Sequence, residues 1–307
     1  MNLKQLTLFQ HIAELGSMTR AASVLHVSQP LLTRQMQALE KELGVMLFLR
    51  SDKGVQLTPA GVAMLERSRT LLQQMRQLQD DIGMYAHRPQ GELRLGLPPS
   101  LFELVSVPLV DAYCRSYPEV RVHVQEGLSA WLHESVLTGR LDTALVSDAE
   151  PLEMLISRPV LQEPLFLVGP AKGRLRADKP VSAESLLERR LILTSRPNAM
   201  RRIIDQSLAQ LPHKTLPAVE TNSARMLLEL VVQGQGFTVL PYSAVALAHR
   251  QDRVTIAPIQ DLSITWTLVT PREQSLSLAG HKLRDKLAEI CRQQVQAGQW
   301  PGARCLT

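Results

Sequence analysis

The chain has 307 residues, 45% of them apolar, 21% charged and 4% aromatic, with a net charge of +5. That length supports two or three domains with real cores, and the composition excludes a disordered or fibrous chain. No apolar run reaches membrane-spanning length, the N-terminus lacks a secretory signal pattern, and the odd, scattered cysteines Cys114, Cys291 and Cys305 suit a reducing compartment, so a cytoplasmic protein with no membrane partner is expected.

The basic surplus is mild. Residues 1–90 hold ten Lys and Arg against seven Asp and Glu, which is compatible with a nucleic-acid partner and does not establish one. In this region Leu6, Phe9 and Ile12 form one helical stripe, ended by Gly16. Ser17 begins a second helix through Ala21, Ala22 and Leu25, and His26-Val27 makes a tight connection. Ser28 is the expected cap of the next helix, with Pro30 tolerated in the first turn, where amides lack helical partners. Its apolar stripe is Leu32, Met36, Leu39 and Leu43, and Gly44 ends it. The opposite side carries Gln29, Thr33, Arg34 and Gln37, which donate or accept hydrogen bonds and hold little negative charge. Leu47–Arg50 and Val55–Leu57 read as two short strands around the polar turn Ser51-Asp52-Lys53-Gly54.

Thr58-Pro59 starts a long helix. Met64, Ser68, Leu71, Met75, Leu78, Ile82 and Tyr85 repeat four-three-four-three, the spacing of a coiled-coil seam with Ser68 as its weak position. A dimerising linker is expected, through Met64, Leu71, Met75, Leu78 and Ile82; the alternative is packing on the protein's own core. Arg88-Pro89-Gln90-Gly91 bounds the helix.

From Gly91 the pattern alternates. Strand Leu93–Leu97, helix Phe102–Tyr117, strand Val120–Gln125, helix Ser129–Thr138 and strand Leu141–Val146 make a βαβαβ unit with a parallel sheet. A second unit reads as strands at Pro164–Val168, Leu191–Leu193, Ala218–Thr221 and Phe237–Leu240, with helices Met200–Gln210 and Ala224–Val232 between them. Strands Val254–Ala257 and Leu262–Val269 and a last helix near Leu278–Ala297 complete the chain.

Two short helices joined by a tight turn, the second exposing donors and acceptors, describe a helix-turn-helix over Met18–Gln37. The stretch around Ala21-Ala22, Ser28-Gln29-Pro30, Arg34-Gln35, Leu39-Glu40, Leu43-Gly44, Leu47-Phe48, Arg50 and Leu57-Thr58-Pro59-Ala60-Gly61 closely resembles the N-terminal domain of LysR-type transcriptional regulators. The resemblance runs through the whole chain. It implies an all-α winged helix-turn-helix over 1–58 and a linker helix over 59–90. Beyond these it implies an α/β effector domain of two lobes resembling type-2 periplasmic binding proteins, lobe I at 91–163 and 268–300 and lobe II at 164–267, with a tail at 301–307.

By matching position, the resemblance implies that Gln29, Pro30, Thr33 and Arg34 approach base edges or adjacent phosphates, with Gln37 on the same side, Ser28 near a phosphate, and Arg50 and Lys53 at the wing on the DNA backbone. It implies promoter DNA as partner, a homodimer or homotetramer, and RNA polymerase as a further candidate partner.

Ligands in α/β sheets sit beyond the carboxyl ends of strands. Candidate effector residues in such turns are Pro99 and Ser100, Gly127 and Ser129, and Asn222 and Ser223, with Ser195 and Arg196 after another second-lobe strand; Arg201 and Arg202 supply cations, and the resemblance to the family implies that the segment at Phe237 lines the cleft. A small anionic or polar effector is expected. Gly234-Gln235-Gly236 follows a helix and precedes a strand, the reverse of a dinucleotide fingerprint, so no nucleotide cofactor is expected. No zinc-ligand spacing or nucleophile elbow argues for catalysis. The competing readings are an enzyme with an appended DNA-binding domain and a solute-binding protein.

Overall fold

A computed structural model describes residues 1–51, 54–84, 88–147, 152–209, 216–272 and 276–306. Lys53 and Tyr85 lie outside the described residues. The chain divides into two compact units, one of Met1–Ile82 and Thr138–Arg140 and one of Gly83–Leu137 and Leu141–Thr307.

The first unit opens with α1 (Leu3–Leu15), held at its start by a reciprocal pair of bonds between Asn2 and Gln5 and at its end by Gly16 in the left-handed conformation. Ser17 accepts from the Arg20 amide and starts α2 (Met18–Val24). His26, itself left-handed with φ 52°, turns the chain into α3 (Gln29–Leu43). Leu32, Met36 and Leu39 are buried with Phe9, Ile12, Ala21 and Phe48, and the Phe9 and Phe48 rings lie 5.1 Å apart. Leu43, expected in that stripe, is exposed: the stripe ends at Leu39, one turn before the helix does.

A two-stranded antiparallel wing follows, β1 (Phe48–Ser51) and β2 (Gly54–Leu57). Next comes α4 (Pro59–Met84), with Thr58 Oγ1 accepting from the Gly61 amide at 2.9 Å and donating to the Met46 carbonyl at 2.7 Å. A Cβ on Gly61 would stand 2.1 Å from the Leu47 carbonyl oxygen, so only glycine lets the helix start this close to the wing. The first half of α4 packs on its own unit. Met64 is half-buried against the core, Ser68 is buried with Gln10 Nε2 at 3.4 Å, and buried Arg69 pairs with Glu14 of α1 at 3.1 Å. Met64 and Ser68 therefore belong to the domain's core face, whereas Leu71, Met75 and Leu78 are exposed.

The second unit is built on β3 (Gly91–Leu97), α5 (Val107–Ser116), β4 (Val120–Glu126), α6 (Ser129–Leu137) and β5 (Thr143–Ser147). The helix expected over Phe102–Tyr117 is a 3-10 turn at Pro99–Leu101, a π turn at Phe102–Ser106 and then α5. Strand β3 lies between β4 and β5, parallel to both, so the chain winds to one side of β3 and then to the other.

Two long strands, β6 (Leu155–Pro170) and β10 (Val254–Pro271), run antiparallel and replace the shorter strands read from the sequence. Their far halves pair differently: Trp266–Val269 joins β5, and Leu165–Val168 joins β9 (Thr238–Pro241). Between the halves the register shifts, between Pro258 and Ser263 and again between Trp266 and Thr267. The remaining elements are β7 (Ile192–Leu193), α7 (Ala199–Ser207), β8 (Val219–Glu220), α8 (Ala224–Val232), α9 (Tyr242–Arg250), α10 (Leu278–Gln296) and β11 (Arg304–Cys305). Within the stretch expected as a tail, β11 pairs with β6 at Gln162 and Leu161, and Trp300 before it is buried.

Candidate functional site

The polar side of α3 is the first candidate. Ser28, Gln29, Pro30, Arg34 and Gln37 are exposed and Thr33 is half-buried, all on the side opposite Leu32, Met36 and Leu39. The Thr19 hydroxyl donates to Gln29 Oε1 at 3.2 Å and ties α3 to α2. Ser28 stands at the N-cap position, but its hydroxyl makes no capping bond, contrary to expectation. An N-cap side chain bonds the second or third amide of its helix, and the second residue here is Pro30, which has no N–H. Arg50 stands in β1. One residue without an assigned role orients this face: Glu40 Oε1 accepts from the Leu47 and Phe48 amides at 2.8 and 3.1 Å, fixing the first strand of the wing against α3. A glutamate on a helix flank carries no signal of such a bond in sequence.

The second candidate is a cavity of about 400 Å³ in the α/β unit. It lies at the carboxyl ends of β3, β4 and β5, where the winding direction reverses and helix starts leave free amides. Ser100 and Pro99 line it after β3, Gly127 and Ser129 after β4, and Ser147 at the end of β5. The Ser129 hydroxyl accepts from the Ser147 amide at 3.0 Å and lies 2.9 Å from the Ser147 hydroxyl. The other wall is Pro197, Asn198, Met200 and Arg202 at the start of α7, with Asn222 after β8; Ile264 and Trp266 of β10 line it as well. Asn198 caps α7, accepting from the Met200 amide at 2.9 Å. Arg202 and His133 line the cavity and no Asp or Glu does, among the described residues.

Pro99, Ser100, Gly127, Ser129 and Asn222 are thus brought together; Ser195, Arg196, Ser223 and Phe237 are not in this lining. Ser223 caps α8 and lines a neighbouring cavity of about 650 Å³, which shares Pro99, Ser100 and Asn222. Phe237 lies against Gly169, with the Arg189 guanidinium 4.7 Å from its ring centre. Arg196 is exposed and bonds Asp205 at 2.7 Å. Arg201 is buried, bonding Asp205 at 2.9 Å, the Thr194 carbonyl at 3.1 Å, and Glu220. Burial alone would lower the Arg201 pKa, but the bonds and charges of Glu220 and Asp205 raise it. Burial likewise works to raise Asp205, and Arg196 and Arg201 outweigh it, holding that carboxyl below its usual range. Arg201 is therefore a structural cation that braces the Ser195–Asn198 turn.

The family model for the bacterial regulatory helix-turn-helix protein of the lysR family matches residues 3–62, and that for the LysR substrate binding domain matches residues 86–292. The chain belongs to the LysR family. It is a DNA-binding transcriptional regulator with an effector-binding domain. As a LysR protein it is 33% identical to the HTH-type transcriptional regulator BbuR of Bordetella bronchiseptica, over 97% of this chain and 92% of that one. It is 30% identical to the nitrogen assimilation regulatory protein nac of Escherichia coli, over 98% and 99%. Among solved LysR-type structures, a full-length OxyR variant from Pseudomonas aeruginosa superposes with a TM-score of 0.73 at 25% identity, covering 94% of each chain. CbnR complexed with its target DNA gives 0.66 at 25% identity, covering 95% and 99%. The winged helix-turn-helix and the two-lobed α/β domain are accordingly this family's fold. No described helix is long and apolar enough to cross a membrane.

Proposed function

We propose that α3 reads promoter DNA through Gln29, Pro30, Thr33 and Arg34, with Ser28, Gln37, Arg50 and Lys53 on the backbone or flanking positions, and that a small anionic or polar metabolite in the 400 Å³ cavity controls this binding. The exposed, uncharged-to-basic face of α3 carries the DNA assignment: base edges in the major groove call for such donors and acceptors. CbnR, a relative in structure, is known in complex with target DNA. The effector assignment rests on serine and asparagine groups converging with Arg202 and His133 in a cavity with no acidic residue among its described lining. The protein acts as a homodimer through the row Leu71, Met75 and Leu78 of α4, and pairs of dimers form the tetramer. It works in the cytoplasm, where its DNA is, and acts by binding, without catalysis.

Some relatives are named hydrogen peroxide-inducible genes activators. A thiol response does not suit this chain's cavity, because none of its three cysteines lines it. Burial pushes the Cys291 thiol up to about 12, with Cys305 and Glu163 adding to the effect, and thiolate chemistry needs the opposite.

The experiment is a gel shift on the protein's own promoter region at several salt concentrations. A retained band that survives random competitor and weakens steeply with salt supports the reading. Binding no better than to random DNA, at any salt and with an organic-acid panel present, overturns it.

A further inference from the structure

Glu163 has no assigned role, yet it is completely buried at the middle of β6, opposite Ile264 of β10. It sits where the two long strands lose register on either side of Ile264–Trp266. A carboxyl in such a place is strongly disfavoured unless every lone pair is used. Here four hydrogen bonds reach it. Oε1 accepts from Trp266 Nε1 at 2.6 Å and from the Ser243 hydroxyl at 2.7 Å. Oε2 accepts from Trp300 Nε1 at 2.8 Å and from the Ser243 amide at 3.1 Å. Three of these donors are fixed N–H groups that cannot reverse. They come from three elements: β10, the start of α9, and the turn after α10.

Trp266 also lines the 400 Å³ cavity, and Ser243 lines the neighbouring 650 Å³ one. We propose that Glu163 is a positioning residue for the ligand cavity: its carboxyl group holds the Trp266 indole in the cavity wall and anchors that wall to Ser243 and Trp300 behind it. The functional meaning rests on the reading that this cavity holds the effector. Backbone pairing to Leu161 of β6 and Ser147 of β5 places the Trp266 main chain but leaves the rotamer of its indole to side-chain contacts. The side-chain bond to Glu163 supplies the missing constraint.

The two oxygens are not equivalent, and this gives a selective test. Glutamine keeps one acceptor oxygen. Oε2 faces two fixed donors, whereas Oε1 faces one fixed donor, Trp266, and a hydroxyl that can turn to accept. In Glu163→Gln the amide oxygen therefore stays toward Trp300 and Ser243, and its N–H₂ is set against Trp266 Nε1–H. The full chain is labelled with 5-fluorotryptophan, and the resonances of Trp131, Trp266 and Trp300 are assigned by single Trp→Phe changes. Glu163→Gln should move the Trp266 resonance by more than its linewidth and raise its sensitivity to D₂O, while Trp300 stays put. An unmoved Trp266, or a shift at Trp300 alone, overturns the proposal.

Should the variant not fold, the unsubstituted protein decides. The Nε1 protons of Trp266 and Trp300 should exchange far more slowly than that of exposed Trp131, and equal exchange of Trp266 and Trp131 overturns the proposal. No ligand enters either measurement. A cavity that binds no organic acid would thus remove the effector reading and leave Trp266 positioning standing, and the reverse result would remove only Glu163.

Discussion

Arg34 is exposed one turn beyond Pro30 on the face that α3 turns away from its core. A guanidinium there can bond a guanine bidentately or pair with a phosphate, and the two roles differ in salt response. Arg34→Ala should weaken specific binding about 5- to 150-fold, the equivalent of roughly 1–3 kcal/mol. If Arg34 touches a base, gel shifts on single-base variants of the site will show relaxed choice at one position. If it touches only phosphate, all sequences weaken alike and the salt slope falls by about one unit. Asp205 is a second residue whose chemistry is plain. Its folded carboxyl lies below the ordinary 3.8 because Arg196 and Arg201 outweigh its burial. A lowered folded value contributes stability above 3.8 and loses it as pH falls through the folded value. Asp205→Asn should therefore cost about 1–2 kcal/mol at neutral pH, discounted for the exposed Arg196 arm. Its stability should then fall less steeply below pH 4 than the parent's, and urea titrations at a series of pH values measure both. The neighbouring arginines looked alike in sequence. Only the fold reveals that Glu220, far along the chain, makes Arg201 structural while Arg202 lines the cavity.

At the scale of elements, α4 divides its seam between two jobs. Met64 and Ser68 face their own core, whereas Leu71, Met75 and Leu78 repeat four-three on an exposed face. Such an apolar row on a helix marks an association surface. Leu71→Glu with Leu78→Glu should at least halve the molar mass measured by light scattering and leave helix content intact. Met64→Ala should leave the mass alone and lower the stability of the first unit by about 1–2 kcal/mol, since the side chain is only half-buried. An unchanged mass in the double variant would remove the dimer from α4. The heptad spacing was visible in sequence; its division was not, because spacing gives a helix face and not what covers it. Strands β6 and β10 show the same limit. Pro159 and Pro164 in one and Pro258 in the other read as strand breaks, since proline gives no ladder donor. In the fold Pro164 and Pro258 flank the shifted register, where the ladder is interrupted anyway. Helix α9 is buried along most of its length, so Tyr242–Arg250 offered no polar face to set a period. The turns after β3 and β4 were legible because strand-end geometry and small residues coincide there. Ser147, Ile264 and Trp266 were not, because they reach the cavity through long-range strand pairing.

For the whole molecule, the proposed DNA-reading face and the proposed ligand cavity belong to different compact units, so control requires a free-energy coupling between them. A ligand alters operator binding only to the extent that it binds one arrangement of the protein better than another. Couplings of this kind are typically about 1–3 kcal/mol, or roughly 5- to 150-fold, and they are reciprocal. Isothermal titration with an organic-acid panel should find an acid that binds the full chain. Its affinity with saturating operator DNA should differ from that without DNA by the same factor by which the acid shifts the operator affinity. Ser100→Ala combined with Ser129→Ala should weaken the acid in both titrations. It should leave the DNA affinity of the acid-free protein near the parent's, because neither residue lies in the unit that holds α3. Unequal factors would mean that the acid acts somewhere other than on the arrangement that DNA selects. Unchanged acid affinity in the double variant would move the ligand out of the cavity while leaving the DNA-reading face where it is.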